Sequence, residues 1–166
     1  MVCVADYLAY ALASRITSMT AAVDRIVSRV LRWPGVETEP HRFGGTEFVV
    51  AGKEIGHVHD TGLVDLAITT QVRDIILTEG LADAHHVLPN SAWVSYRVRG
   101  ERDIPGAMRL LRLAYLWRLS ALRRRGLDVD PTFDADRELR RLDLPVALDA
   151  LVRDTFGDAL NRRAYA

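Results

Sequence analysis

Five histidines are present, and two of them stand two positions apart in Lys53-Glu54-Ile55-Gly56-His57-Val58-His59-Asp60, with a carboxylate directly after. In an extended strand successive side chains alternate between faces, so His57 and His59 emerge on one side. In a helix the two rings would diverge by about 200°. The β-branched neighbours and the turn-like Asp60-Thr61-Gly62 favour the strand. Imidazole titrates near pH ~6.5, so a partly buried His57 or His59 suits general-base work at neutral pH. A carboxylate such as Asp65 could fix the tautomer of either ring and raise its basicity. A second pair, His85-His86, lies in the loop stretch His85–Ser91 and offers further imidazoles, or simply a backbone cap. His41 stands nearer a plain structural role.

A pair of this kind also fits metal chemistry. His-x-His with a third histidine or a carboxylate can bind zinc or iron, as in the two-His-one-carboxylate oxygenases. The spacing of Gly52 to His57-x-His59 is similar to that of cupins, but the glutamate expected shortly after is absent. The expectation is therefore a site without a metal, with the metal oxygenase kept as an alternative.

The elements that must hold these residues follow from period and punctuation. Thr20 reads as an N-cap for a helix carrying Val23, Ile26, Val27 and Val30, ended by Trp33-Pro34-Gly35. Strands are expected over Thr46–Ala51, Lys53–His59, Leu63–Thr69 and Ala92–Arg99. Thr70 can cap a short helix with Val72, Ile75 and Ile76, stopped by Gly80. Asp103 can cap the longest helix, with Ile104, Met108, Leu111, Tyr115, Leu119 and Leu122 as its buried stripe. Leu127–Phe133 reads as a linker, followed by helices over Asp134–Leu142 and Val146–Leu160.

Strand parity then sorts the faces. Phe48/Val50, Val58, Val64/Leu66/Ile68 and Val94/Tyr96/Val98 make one apolar face under the helices. Period two puts Glu47/Val49, Ile55/His57/His59, Leu63/Asp65/Ala67 and Trp93/Ser95/Arg97 on the other. That mixture suits a shallow ligand pocket floored by a sheet, with His85–Ser91 as a rim. Glu47, Asp65, His86, Trp93 and Arg97 are the candidate binding residues. The same parity places Glu54 away from the histidines, so it is left out. A bulge in any strand would swap these faces, and polar residues on the wet face of an antiparallel sheet need no function at all.

The quoted octapeptide resembles the central motif of the fungal luciferase family and its small bacterial and archaeal relatives. Trp33-Pro34-Gly35-Val36, Pro40-His41-Arg42-Phe43-Gly44-Gly45, Gly80 with His85-His86-Val87-Leu88-Pro89, and Trp93-Val94-Ser95 fit the same pattern in order. The likeness runs from about Thr20 to Arg125. It implies an oxidoreductase that adds dioxygen to a hydroxylated pyrone without an organic cofactor: a base forms an electron-rich enolate, which reacts directly with oxygen. The matching catalytic positions are His57, His59, Asp60 and His85.

Composition bounds these readings. A chain of 166 residues with 49% apolar and 27% charged residues is one ordinary globular domain. Zero net charge gives no general nucleic-acid surface. No apolar run approaches the roughly 20 residues that span a bilayer, and Val2–Ala13 is a poor signal peptide. The single cysteine, Cys3, excludes an intrachain disulfide and points to a reducing cytoplasm. Lys53 is the only lysine, which removes Schiff-base chemistry unless Lys53 itself supplies it. There is no GxGxxG, Walker loop or GxSxG.

The expected fold is α+β, a four-stranded mainly antiparallel sheet with helices on one face. The order of elements resembles the small MmcQ/YjbR-type domain and carries a helical C-terminal tail. Residues 1–19 are read as an extension, with Met19 as an alternative start, 20–125 as the luciferase-like domain and 126–166 as a C-terminal extension. A small molecule is the expected partner, and homo-oligomerisation stays open. The other class is a non-catalytic binding or protein-interaction module, with the arginine-rich helix Arg109–Arg125 as its surface.

Overall fold

In the computed structural model the described residues are 4–128, 130 and 132–161. Cys3 lies outside them, as do Val129 and Pro131 of the expected linker. The elements run α1 (Val4–Val30), β1 (Val36–Pro40), β2 (Thr46–Val50), β3 (Lys53–Val58), β4 (Leu63–Ala67), α2 (Thr70–Thr78), β5 (Asp83–Ala84), β6 (Trp93–Arg97), α3 (Ile104–Arg123), α4 (Ala135–Leu142), α5 (Val146–Val152) and, after one π-helical turn, α6 (Asp158–Leu160). The strands form one open sheet in the order β1-β2-β3-β4-β6-β5, every neighbouring pair antiparallel.

The sheet has six strands rather than the expected four. Neither additional strand carries an apolar period. The Val36–Pro40 strand reads Val-Glu-Thr-Glu-Pro and exposes all but its first residue. As an edge strand it tolerates its proline. The Asp83–Ala84 strand has only two residues, paired with Ser95 and Val94.

Three caps also differ from expectation. Thr20 lies inside α1, where its hydroxyl donates to the Ile16 carbonyl at 3.0 Å, the back-bonding open to a mid-helix threonine. α1 therefore runs unbroken across the boundary placed at residue 20. The cap of α2 is Thr69, whose hydroxyl accepts from the Val72 amide at 3.3 Å. Asp103 holds the cap position of α3, but its carboxylate accepts from the Arg99 amide at 2.6 Å instead.

The core explains why α3 is buried so widely. Its stripe Ile104, Leu111, Tyr115, Leu119 and Leu122 is buried as expected, with Met108 partly so. Leu110, Leu113 and Leu116 are buried as well. Leu139, Leu142, Leu148, Val152, Phe156 and Leu160 belong to the same core, so the C-terminal helices pack on the domain rather than trail from it. The arginines of α3 are largely engaged within the fold. Arg112 donates to Glu138, Arg118 to the Val50 and Ala51 carbonyls, and Arg123 to Asp128 and the Asp130 carbonyl. That weakens the interaction-surface reading of this helix.

The register decides the site. Glu47 pairs with His57, His57 with Asp65, and Asp65 with Ser95, so one row of residues crosses four strands on one face. The parity argument fails at one place. Phe48 faces Gly56 and Val49 faces Glu54, leaving Ile55 as an extra residue in β3. Ile55, expected beside the histidines, is buried in the core at 1% exposure. Glu54, expected on the far side, shares the face of His57. Gly56 permits the tight pairing that follows, because a Cβ there would lie 2.6 Å from the Asp65 carbonyl oxygen and 3.1 Å from Leu66 Cα. Gly56→Ala should therefore lower unfolding stability by about 1–3 kcal/mol, the usual range for overpacking. Urea denaturation checks it, and an unchanged midpoint would contradict this strand spacing.

Candidate active site: a histidine pocket on the open face of the sheet

β2, β3 and β6 supply the floor, and two loops supply the walls. The turn between β1 and β2 closes through Gly44 N–H to His41 O at 2.9 Å and His41 N–H to Gly45 O at 3.1 Å. Gly45, at φ +104°, brings this turn against β3; a Cβ there would meet the Val58 carbonyl oxygen and lie 2.7 Å from His59 Cα. The opposite wall is the segment 85–88. Between them lies a cavity of about 650 Å³, which all five histidines line together with Glu47, Glu54 and Trp93.

Asp65 is fully buried and does not itself line the cavity, lying against the imidazoles of His57 and His59. His57 Nε2 and His59 Nε2 stand 3.3 and 3.2 Å from its Oδ2. Its Oδ1 accepts the Ser95 hydroxyl, with His86 Nδ1 at 3.7 Å and His85 Nε2 at 3.9 Å. Burial pushes this carboxyl up, but the hydrogen bonds from His57 and Ser95 and the nearby His85 outweigh it and bring its pKa to about 2. Asp65 is therefore a fixed anion.

The sequence left His57 and His59 open as alternative bases, and their surroundings now separate them. His57 meets Asp65 with Nε2 and donates from Nδ1 to Glu54 Oε1 at 2.5 Å. Burial lowers its pKa, but these hydrogen bonds overcome that and raise it to about 9. An imidazole held between two carboxylates is a cation, not a free base. His59 is different. Burial and the charge on His57 lower its pKa, against the opposing pull of Asp65. Its Nε2–H donates to Asp65, which leaves Nδ1 as the ring's proton acceptor.

Aromatic contacts tie the walls to the floor. His41 stacks on His57 with ring centroids 3.7 Å apart, and Trp93 packs against His57 and His85 at 5.7 and 5.9 Å. His85 Nδ1 accepts from the amides of Val87 and Leu88 at 3.2 and 3.0 Å, so its neutral form carries the proton on Nε2, facing Asp65. His86 is half-exposed at the rim. Phe43, Val87 and Leu88 form an apolar lip, exposed by 72%, 66% and 56%.

Two candidates stand apart from this group. Asp60, expected among the catalytic residues, is exposed in the turn after β3 and does not line the cavity. Arg97 shares the parity of Ser95 but is exposed at the far end of β6, beside Arg15 and Met19 in a separate surface hollow. The lone Lys53 is exposed and does not line the cavity. Conversely, His41, Glu54 and Ser95 line or support the site without having been selected. Glu54 was hidden by the bulge, and His41 by a turn whose direction local pattern does not give. Ser95 lay on the selected face, between Trp93 and Arg97.

Among the described residues, three groups bring possible metal ligands within 4.8 Å of one another: His41/His57/His59, Asp65/His85/His86 and His41/Glu47/Glu54. Among the described residues, no helix is long and apolar enough to cross a membrane.

Comparison with known families agrees with the motif. Residues 52–114 match the family described as Luciferase domain. The matched stretch contains β3, β4, α2, β5, β6 and half of α3, and with them His57, His59, Asp65, His85, His86 and Trp93. The resemblance drawn from the octapeptide thus holds over this segment, whereas His41 and Glu47 precede it. No curated protein and no solved structure matches the chain.

The His85 cap has a pH consequence. Burial lowers the pKa of His85, while Asp65 opposes and His86, His57 and His59 add to the fall. A group with a depressed folded pKa contributes stability that is complete above its unfolded value of about 6.5 and is lost as pH falls through the lower folded value. On acidification the amide resonances of Val87 and Leu88 should move together, with a midpoint below about 6.5. His85→Asn should abolish that titration, and a midpoint above the unfolded value would contradict the cap.

Proposed function

We propose that this pocket is the active site of a luciferase-like oxygenase acting on a small enolic or hydroxypyrone-type compound. The reading is carried by one observation. Asp65 is buried and binds the Nε2–H of His59, which lines a cavity most of whose lining residues fall within the matched luciferase segment. A carboxylate behind an imidazole fixes the tautomer and leaves the outer nitrogen to take a proton.

His59 Nδ1 takes the enolic O–H proton, giving an enolate. His57, cationic between Glu54 and Asp65, provides positive charge beside the developing anion. The electron-rich enolate carbon gives two electrons to dioxygen, the co-substrate, and a C–O bond forms. The resulting peroxide anion recovers the proton from His59 as a hydroperoxide. No organic cofactor is needed for this balance. The flat wall of Trp93 and the apolar lip of Phe43, Val87 and Leu88 suit a planar substrate with an apolar substituent.

The test is oxygen uptake with a panel of hydroxy-2-pyrones and related enols. His59→Ala and Asp65→Asn should each lower turnover by about 10²–10⁴-fold, the usual contribution of positioned proton transfer. Binding, followed by quenching of Trp93 fluorescence, should change far less. Uptake by the wild-type protein that survives in His59→Ala would remove His59 as base. Binding without any uptake would make the pocket a small-molecule-binding module.

A further inference from the structure

We infer that His41, Glu47 and Glu54 form a divalent-cation site at the hairpin end of the pocket, beside the Asp65-centred group, to which Glu54 is tied through His57. The inference goes beyond the proton-transfer reading and does not depend on it.

The observation that carries it is an unsatisfied buried nitrogen. The His41 side chain is 91% buried, since only 9% of it is exposed, and its Nδ1 has no hydrogen-bond partner. Buried polar atoms nearly always have one. The other two such side-chain nitrogens among the described residues belong to Arg73 and Arg112, whose remaining guanidinium nitrogens are bonded. His41 Nδ1 stands 3.6 Å from Glu47 Oε2, too far for a hydrogen bond. With its proton on Nδ1 the ring falls short of the carboxylate. Without it, two lone pairs face each other. A cation between them satisfies both.

Glu54 completes the set, because its ligand atom lies within 4.8 Å of those of His41 and Glu47, and all three side chains line the cavity. The other two groups of possible ligands contain members already engaged elsewhere. His57 meets carboxylates on both ring nitrogens, His59 gives Nε2 to Asp65, and His85 Nδ1 receives two backbone amides. Glu54 gives one oxygen to His57 and keeps the other. One imidazole and two carboxylates are a mixed nitrogen and oxygen set that suits Zn²⁺, Mn²⁺ or Fe²⁺ better than a soft ion. Three protein ligands also leave positions for water or for the oxygens of an enolic molecule.

Full-length protein stripped with a chelator is titrated calorimetrically with Zn²⁺ and, separately, with Mn²⁺. One ion per chain should bind, raising the melting temperature. Binding should be lost in both His41→Asn and Glu47→Gln and weakened in Glu54→Gln, each checked for folding by circular dichroism without metal. His59→Asn and His86→Asn should retain it. The inference falls if the wild-type protein binds neither ion. It also falls if binding survives in His41→Asn or Glu47→Gln but is lost in His59→Asn or His86→Asn. None of these outcomes bears on oxygen uptake, so this inference and the proposed function fail separately.

Discussion

A carboxylate with no exposure, at the middle of a sheet, constrains everything around it. Transferring an ion from water into a protein interior costs several kcal/mol unless partners replace the lost hydration. Asp65 therefore needs donors from every direction its two oxygens face. The β3 histidines cover Oδ2, and Ser95 covers Oδ1 with the imidazoles of the 85–86 segment beyond it. These donors come from three separate stretches of chain. They meet because the antiparallel register sets His57 and Ser95 directly beside Asp65 on its two neighbouring strands. Behind the sheet, Phe48, Leu66 and Val94 belong to the fully buried core, which holds the strands in that register. The apolar core positions the polar row, and the polar row makes the buried charge tolerable.

The bulge at Ile55 alters what that row can do. Regular pairing would send Glu54 towards the helices, where an ionised side chain would have no partner. One extra residue turns Ile55 into the core and returns Glu54 to the polar face, three positions from His57. His57 then has acids on both sides, and His59, one pleat further, has only one. Two imidazoles of near-identical sequence context thereby acquire different protonation states. Separated environments for neighbouring titratable groups are how a single site comes to hold both an acid and a base.

Much of this was legible in the sequence, and the failures share a cause. The alternation in β2, β4 and β6 placed Glu47, Asp65 and Ser95 on one face because a half-buried strand imposes period two. The octapeptide pointed to the family whose model matches residues 52–114 because His57 and His59 lie within a contiguous motif. What escaped depends on geometry without a local period. The bulge reversed Glu54 and Ile55. His41 reaches the site through the path of a turn, and β1 and β5 are an acidic edge strand and a two-residue bridge. Arg97 shows the converse error: parity fixes a face but not a position along it, and this strand outruns the pocket. Asp60 follows His59 directly in sequence, yet the turn carries it outward to solvent. The C-terminal helices read as a tail because helical period shows which side is apolar but not what that side packs against.

The same geometry divides the pocket into a part held by paired strands and a part carried on loops. Asp65, His57, His59 and Ser95 stand on or beside paired strands, whose hydrogen bonds hold side chains to within small tolerances, and His85 is clamped by two backbone amides. Phe43, Val87 and Leu88 project from loops with most of their surface in water. Loops tolerate changes of length and shape that a sheet does not. The lip can therefore vary while the strand-borne imidazoles beneath it stay in place. The segment matched by the luciferase family contains the strand-borne imidazoles and Asp65 but stops short of the hairpin that carries Phe43 and His41. The buried carboxylate and its imidazoles thus lie in the matched segment, whereas the hairpin that closes over them precedes it.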